Sequence, residues 1–327
     1  MLLKAELHCH IEGAATPDLI IRQARKYGAD WTRFVQDDSF VWTDFTSFAA
    51  AYDFAASLLR TEDDFARLSE HYLSSLARDG AIYAEFFVSP DHAERAGLSP
   101  KAYIDALAEG IQRANAKTGI EARMIVTGVR QFGVGTVEAA ARFAAKSRHP
   151  LVTGFGLAGD ERVGEFDDFV RAFEIAREAG LGITVHAGEL LGWESVQTAI
   201  DLIRPSRIGH GVRAVENSDL VKRITDERIV LEVCPGSNVA LKLYPDLASH
   251  PFRRLQETGC RVTLNSDDPP YFQTSLGREY QTAHSVWGYD ERALLAITRT
   301  AIEAAFVDAK TRTALLARLD KPARMVR

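Results

Sequence analysis

The chain has 327 residues, of which 46% are hydrophobic and 26% are charged, and its formal net charge is -6. This balance is typical of a globular protein with a sizeable hydrophobic core. Because the sequence has no Lys/Arg-rich run and no apolar run near the roughly 20 residues of a membrane helix, we expect neither a nucleic-acid partner nor a membrane.

Short apolar segments rich in β-branched and aromatic residues recur along the chain. They lie at 2–10, 81–90, 122–130, 151–159, 182–189, 207–211, 228–235 and 261–269. Most are too apolar for half-exposed strands, which favours strands buried on both faces of a parallel sheet. Amphipathic patterns between them predict helices at 99–119, 137–147, 166–180, 193–203 and 219–227.

This regular alternation of strand and helix predicts a (β/α)8 TIM barrel. A doubly wound open sheet shares the alternation and stays the alternative, although no G-x-G-x-x-G follows the first strand. Residues 14–80 are too many for a simple crossover and contain several helical stretches. We therefore predict a helical insertion between strands 1 and 2, over one mouth of the barrel. Without repeats, low-complexity segments or flexible linkers, residues 1–327 are expected to form a single domain.

The N-terminus and the cysteines bear on location. The sequence MLLKAELHCH has neither a long apolar segment nor a small-residue cleavage site, so we expect no signal peptide. Cys9, Cys234 and Cys260 are odd in number and form no C-x-x-C pair. A disulfide framework is therefore not expected, and a reducing cytoplasm fits. We interpret Cys234 and Cys260 as buried structural thiols.

Polar motifs end four of the predicted strands: HCH, HAGE, GHG and SDDP. The carboxyl ends of barrel strands converge on one face, and active sites are built there. We therefore expect one cluster containing His8, His10, His186, Glu189, His210, Asp267 and Asp268. Each motif alone has an ordinary structural interpretation, such as a helix cap for SDDP. Their joint position at strand ends favours a functional site.

The spacing of the histidines predicts a metal centre. Residues two apart on a strand point the same way, so His8 and His10 face the barrel interior and Cys9 faces the helices. A catalytic zinc keeps about three protein ligands and an open position for water. We therefore predict one Zn²⁺ per chain, held by His8, His10 and His186 with Asp267 as the carboxylate ligand. Such an ion lowers the pKa of its bound water toward ~7.

The remaining polar residues of the motifs suit proton transfer. Glu189 stands three residues after His186, in a turn, which favours a proton shuttle over a metal ligand. His210 is expected to hold or deprotonate the water. Asp267 and Asp268 split by alternation, one toward the metal and one toward the substrate. The histidines without a partner pattern are interpreted as surface or helix-end residues: His71, His92, His149, His250 and His284.

The segments ELHCHIEG, GLAGDE, TVHAGE, GHG and NSDDP, in that order, resemble the adenosine deaminase family from about residue 3 to beyond residue 305. The resemblance implies a one-zinc (β/α)8 barrel that removes the 6-amino group of adenosine by hydrolysis. It implies zinc binding by the four ligands named above. It also implies that Glu189 protonates the purine N1, while His210 orients the attacking water.

Substrate contacts follow from the same resemblance. Asp268 is expected to meet N7, and the backbone N–H of Gly159 is expected to meet N3. Glu12 stands where adenosine-specific members carry an Asp that contacts the ribose, whereas members acting on free adenine often carry Glu. Phe48 and Tyr52 are expected to form an apolar lid over the base.

The expected reaction is deamination of adenosine and 2′-deoxyadenosine, because FGLAGDE and SDDPPYFQTSLGREY look closer to bacterial adenosine deaminases. Deamination of free adenine or another 6-aminopurine is the alternative, because Glu12 and Gly236, in CPGSN, depart from the family pattern and leave the identity of the substrate open. The expected partner is a small purine, and the expected state is a monomer or weak homo-oligomer.

Two further classes stay open. Dinuclear amidohydrolases also begin with H-x-H, but they usually need a bridging lysine near the end of the fourth strand, where LVTGFGLAG has none. A barrel that only binds a purine or a protein partner is disfavoured by the complete ligand set.

Overall fold

The computed structural model describes residues 2–147 and 149–320. Eight parallel strands form one sheet, each paired with the next in chain order. They are β1 (Lys4–Glu6), β4 (Ala81–Val88), β5 (Glu121–Val129), β6 (Val152–Ala158), β7 (Gly182–Ala187), β8 (Arg207–His210), β9 (Val230–Val233) and β10 (Arg261–Leu264). A separate antiparallel hairpin joins β2 (Val35–Gln36) to β3 (Ser39–Phe40).

The first and last strands of the sheet meet just beyond their carboxyl ends. The backbone N–H of Asp267 donates to the carbonyl of His8 (3.0 Å), and the N–H of His10 donates to the carbonyl of Asp267 (3.1 Å). These bonds close the sheet into the (β/α)8 barrel that the sequence predicts. Every predicted strand is present, but the polar motifs HCH and SDDP lie after the strands rather than inside them.

Helices surround the barrel and cover its mouth. They are α1 (Pro17–Tyr27), α2 (Phe45–Ser57), α3 (Glu62–Arg78), α4 (Pro90–Arg95), α5 (Pro100–Thr118), α6 (Val134–Ser147), α7 (Phe166–Glu178), α8 (Trp193–Thr198), α9 (Ser218–Asp226), α10 (Pro235–Ala240), α11 (Phe252–Glu257), α12 (Pro269–Phe272), α13 (Leu276–Ser285), α14 (Glu291–Ala304) and α15 (Ala309–Leu319). A π-helical turn, Ala199–Ile203, continues α8.

Local sequence signals explain individual helix ends. In α5, the Ser99 hydroxyl accepts a hydrogen bond from the N–H of Ala102, Pro100 occupies the first turn, and Gly119 ends the helix with φ 72°. This is the Pro-at-start, Gly-at-end pattern that the sequence shows.

The segment 14–80 has two parts. Helix α3 packs against α5 and β4 and therefore belongs to the outer helical layer. Helix α2 lies near the barrel mouth, where Phe48 packs edge-on against Tyr271 with ring centroids 5.4 Å apart. The hairpin was not predicted from the sequence; it is anchored by Phe40, whose ring stacks on Tyr271 at 3.9 Å.

A buried ion-pair network fills the barrel interior below the polar motifs. The guanidinium of Arg207 is 1% exposed and lies 2.7 Å from Glu85 and 2.5 Å from Glu232. Its flat face lies 3.6 Å from the centre of the Phe306 ring. Charges removed from water are stable only when they are paired, so this arrangement holds Glu232 in one place.

Within the described residues, no helix is long and apolar enough to cross a membrane.

Gly110 tests the close packing of α5 on α3. A Cβ at this position would lie 2.2 Å from the carbonyl oxygen of Ala66 and 1.9 Å from the Ser69 hydroxyl. Gly110→Ala is therefore expected to lower the free energy of unfolding by about 1–3 kcal/mol, although alanine is the better helix former. Denaturant unfolding measures the change. Gly135→Ala in α6, where a Cβ has no neighbour within 4 Å among the described residues, is the control and should be neutral or stabilising.

Candidate active site

Four predicted ligands come together at the carboxyl ends of β1, β7 and β10. One side-chain atom from each of His8, His10, His186 and Asp267 lies within 4.8 Å of the others. The Nε2 atoms of His10 and His186 are 3.2 Å apart. Asp267 Oδ1 lies 3.5 Å from His8 Nε2 and 3.6 Å from His10 Nε2.

Hydrogen bonds on the far sides of the rings fix which nitrogens face this cluster. His8 Nδ1 donates to the carboxylate of Glu232 at 2.9 Å. His186 Nδ1 donates to the carbonyl of Leu157 at 3.0 Å. Since a neutral imidazole carries one proton, Nε2 of each ring is left with a lone pair directed at the cluster.

The cluster fits a divalent cation. His8 Nε2 is buried and has no hydrogen-bond partner among the described residues. A buried lone pair without a partner costs free energy, and so does the approach of two Nε2 atoms to 3.2 Å unless a proton or an ion lies between them. Three imidazole nitrogens and one carboxylate oxygen are a donor set that suits Zn²⁺.

Two site residues adopt left-handed backbone conformations that non-glycine residues rarely use. His210 and Asp267 both have φ 60°. Such conformations cost of order 1–3 kcal/mol and cluster at functional sites, where the surrounding structure holds them. Sequence patterns gave no indication of this strain.

Close packing explains two glycines of the motifs. A Cβ at Gly209, in GHG, would lie 2.8 Å from Cε1 of His8. A Cβ at Gly13, in ELHCHIEG, would lie 1.7 Å from Oδ1 of Asp268. Both positions lack room for a side chain because a functional side chain of another motif occupies that space.

A chain of hydrogen bonds fixes the ring of His210. The backbone N–H of Phe252 donates to Nδ1 of His250 (3.2 Å), so Nε2 of His250 carries the proton and donates to Asn238 Oδ1 (3.1 Å). The amide nitrogen of Asn238 then donates to Nδ1 of His210 at 3.2 Å. Burial lowers the pKa of His210 to about 4, so the ring is neutral. Its Nε2–H consequently faces the site.

Two carboxyl groups stand beside the ligand cluster. Glu189 Oε1 lies 3.6 Å from Nε2 of His210. Burial, with the charges of Asp267 and Glu161, raises the pKa of Glu189 well above its usual range. Burial, with the charge of Asp267, likewise raises the pKa of Asp268.

A cavity with about 680 Å³ of empty space, part of it open to solvent, lies over these groups. Its size is that of a small-molecule site. Predicted site residues make up much of its wall: His10, Glu12, Gly159, His186, Glu189, His210, Asp267 and Asp268. His8 is fully buried and belongs to the site through the ligand cluster. The predicted lid residues Phe48 and Tyr52 also line the cavity.

Glu12 is held rigidly at the cavity wall. Its side chain is 1% exposed. It accepts hydrogen bonds from the hydroxyl of Tyr52 (3.2 Å), from the hydroxyl of Tyr103, and from the backbone N–H of Ser89 (3.5 Å). Donors from three elements therefore fix the direction of this carboxylate.

The interpretation of His92 as a surface or helix-end residue missed its role in the cavity wall. His92 is only 7% exposed; its Nδ1 lies 2.8 Å from the Ser89 hydroxyl and its Nε2 lies 2.9 Å from Asp53. All three residues line the cavity. His92 comes four residues after the end of β4, so its position next to a barrel strand was a usable signal.

His250 was interpreted as a surface or helix-end residue; it stands just before α11, but it does not lie on the surface. It is 3% exposed because it bridges Phe252 and Asn238. His71 and His284 are exposed, as expected. Cys234 and Cys260 are buried free thiols, as expected, and Cys9 is too.

The family of the chain follows from comparison with known proteins. Residues 3–322 match the family model described as adenosine deaminase. This chain belongs to the adenosine deaminase family. The family is one of hydrolases that remove amino groups, so the predicted enzyme class is confirmed at that level.

The similar sequences carry a narrower name. An adenine deaminase from Mesorhizobium japonicum is 71% identical over 324 residues, which cover 99% of this chain and all of the relative. An adenine deaminase from Chelativorans sp. is 68% identical, with 98% of both chains covered. These relatives favour the alternative of free adenine and give no support to the preference for adenosine.

Solved structures agree with the fold. An adenine deaminase from Arthrobacter aurescens superimposes with a TM-score of 0.90 at 28% identity, covering 98% of both chains. An amidohydrolase from Burkholderia ambifaria, solved with bound zinc, superimposes with a TM-score of 0.87 at 28% identity. The second comparison covers 97% of this chain and 89% of that one.

His186→Ala tests the ligand cluster. Because His186 supplies one of the four converging atoms, the purified variant is expected to hold at least about 10-fold less zinc per chain than the wild type after dialysis. Metal analysis by mass spectrometry measures this. His71→Ala, which removes an exposed imidazole, is the control and should keep the wild-type metal content. An unchanged zinc content in His186→Ala would remove this residue from the ligand set.

Proposed function

We propose that the protein is a zinc-dependent adenine deaminase that hydrolyses free adenine to hypoxanthine and ammonia. The observation that carries the choice of substrate is the buried, rigidly held carboxylate of Glu12 in the wall of the cavity that also contains the ligand cluster. The names of the relatives at 71% and 68% identity support the same choice.

The metal site is assigned to His8, His10, His186 and Asp267, whose ligand atoms converge. A bound Zn²⁺ would supply Lewis acidity, which makes a nucleophilic water available near neutral pH. Glu232 and the Leu157 carbonyl keep two of the imidazoles in the tautomer that this site needs.

Glu189 is assigned as the acid. Water attacks C6, so a C6–O bond forms and the C6–N1 double bond gives its electrons to N1. The carboxyl of Glu189 donates a proton to N1, which removes the cost of charge on the ring; a positioned acid is typically worth ~10²–10⁴-fold. The Glu189 carboxylate then takes one proton from the added water and passes it to N6. The C6–N6 bond breaks and ammonia leaves, while the C6 hydroxyl becomes the C6=O carbonyl and its proton returns to Glu189.

His210 is assigned as the group that orients the water. Its Nδ1 is occupied by Asn238, and its neutral ring presents Nε2–H to the site. This geometry favours donation of a hydrogen bond to the attacking oxygen over removal of a proton from it. Of the two roles considered from the sequence, orientation is therefore the one proposed.

The remaining ring nitrogens have partners in the cavity wall. Asp268 is assigned to N7 and the backbone N–H of Gly159 to N3, as the family resemblance implies. Asp268 Oδ1 is buried without a hydrogen-bond partner among the described residues, so it is available to a ligand. Gly159 has φ 97°, a conformation that glycine adopts readily.

Glu12 is assigned to the edge of the base that carries ribose in a nucleoside. Free adenine has an N–H at this edge, and the Glu12 carboxylate has acceptor capacity beyond its hydrogen bonds from Tyr52 and Tyr103. Adenosine lacks this N–H and places a sugar against a buried carboxylate. A site built to accept a hydrogen bond rejects a ligand that lacks the donor.

A substrate panel tests the proposal. The zinc-loaded protein is incubated separately with adenine, adenosine, 2′-deoxyadenosine and N6-methyladenine. The released amine, which is ammonia for the first three compounds and methylamine for N6-methyladenine, is measured together with the ultraviolet change. We expect kcat/KM for adenine to exceed that for either nucleoside by at least about 10²-fold. A higher kcat/KM for adenosine would contradict the assignment, and no turnover of any of these compounds would contradict the enzyme class of the site.

Glu12→Asp tests how the free base is selected. Shortening the side chain by one methylene withdraws the carboxylate from the ring and from Tyr52 and Tyr103. We expect kcat/KM for adenine to fall roughly 10-fold, with zinc content unchanged. The kcat/KM for adenine divided by that for adenosine should fall as well. Steady-state kinetics with both substrates measure the ratio. If the ratio does not change, Glu12 does not read this edge of the base.

A further inference from the structure

One buried carboxylate connects two loops of the cavity. Glu161, in the segment after β6, is 2% exposed. Its Oε1 accepts from the N–H of Gly188 (2.6 Å) and from the Ser195 hydroxyl. Its Oε2 accepts from three successive backbone N–H groups, those of Glu189 (3.1 Å), Leu190 (2.8 Å) and Leu191 (2.8 Å).

These bonds satisfy the backbone N–H groups of a loop, which lies outside the helices and strands whose own hydrogen bonds would supply the acceptors. Residues 188–191 lie between the end of β7 and the start of α8, and Gly188 turns the chain there with φ 67°. Successive N–H groups that point to one side form a concave anion site. In this fold the anion is a side chain of the protein, so the loop adopts one conformation around it.

Glu161 connects two residues that are assigned to the substrate. Glu161 follows Gly159 by two residues, and it binds the N–H of Glu189 itself. Gly159 and Glu189 are the groups assigned above to N3 and N1, which flank C2 on the six-membered ring. A single carboxylate therefore sets the spacing between the two contacts that hold this ring.

We propose that Glu161 is a positioning residue, which fixes the Glu189 carboxyl against the purine ring by clamping loop 188–191 to the segment after β6. The inference rests on the proposed role of Glu189 as the proton donor. Glu161 acts through Glu189 and does not touch the substrate. A displacement of about 1 Å at a reacting group costs up to 10²-fold in rate, which sets the size of the expected effect.

Glu161→Gln is the principal test. The amide keeps the size of the side chain but replaces one acceptor oxygen with an NH₂ group that faces backbone N–H donors. We expect kcat for adenine to fall between about 10-fold and 10²-fold, while zinc content stays at the wild-type value. Glu165→Gln is the matched control, because this exposed carboxylate lies four residues further along the same segment. Its kcat should stay within about 2-fold of the wild type.

A double-mutant cycle with Glu189→Gln separates positioning from a general effect on the fold. Glu189→Gln alone should lower kcat by roughly 10²–10⁴-fold. If Glu161 acts through Glu189, adding Glu161→Gln to that variant should change kcat by less than about 3-fold. A full additional loss of 10-fold or more in the double variant would overturn the proposal, because a structural role does not depend on Glu189.

The outcomes distinguish this inference from the proposed function. If Glu189→Gln keeps wild-type turnover, the proposed acid is wrong and the inference falls with it. If Glu189→Gln loses turnover while Glu161→Gln keeps wild-type kcat, only the positioning role is wrong. Should Glu161→Gln fail to fold, Glu161→Asp keeps the charge on a shorter side chain. A kcat reduced at least about 5-fold, with wild-type zinc content, supports the proposal, and a wild-type kcat overturns it.

Discussion

The site depends on hydrogen bonds that hold the outer nitrogens of two imidazoles, those of His8 and His186. A ring can offer a lone pair to a metal only if its other nitrogen keeps the proton, and a fixed acceptor ensures this. For His8 the acceptor is Glu232, which is itself fixed by the buried guanidinium of Arg207. For His186 the acceptor is the carbonyl of Leu157, at the end of the neighbouring strand β6. The barrel interior therefore supports the proposed metal site, because its buried charges hold Glu232 and so the ring of His8 in one orientation.

The same principle extends to the two residues assigned to orienting the water and to donating the proton. His210 receives its orientation from Asn238 and His250, a chain that begins at a backbone N–H and therefore has only one consistent direction. The loop that carries Glu189 is arranged around the carboxylate of Glu161. In each case a buried polar residue outside the substrate position determines which side-chain atoms of the cavity residue face the site.

The sequence predicted the barrel and brought the ligand residues to one face for a simple reason. A period of two along β-structure and the convergence of strand ends are properties of the backbone, so the convergence of His8, His10 and His186 could be predicted from position alone. The left-handed conformation of His210 could not, because it arises from tertiary packing. The burial of His250 was missed because this residue follows no strand end, and its partner Asn238 lies on α10, which contacts His210 only in the folded chain.

Three buried carboxyl groups lie close together, and this proximity explains why they differ in ionisation. Burial opposes ionisation of Asp267, but the imidazoles of His8, His10 and His210 around it hold its pKa below the usual range. That negative charge in turn helps to raise the pKa values of Asp268 and Glu189, since like charges in a buried cavity cannot all form. A carboxyl that keeps its proton is a hydrogen-bond donor, and both N1 and N7 of adenine are acceptors. Placing one ionised aspartate next to the imidazoles thus leaves its two neighbours in the form that the proposed substrate requires.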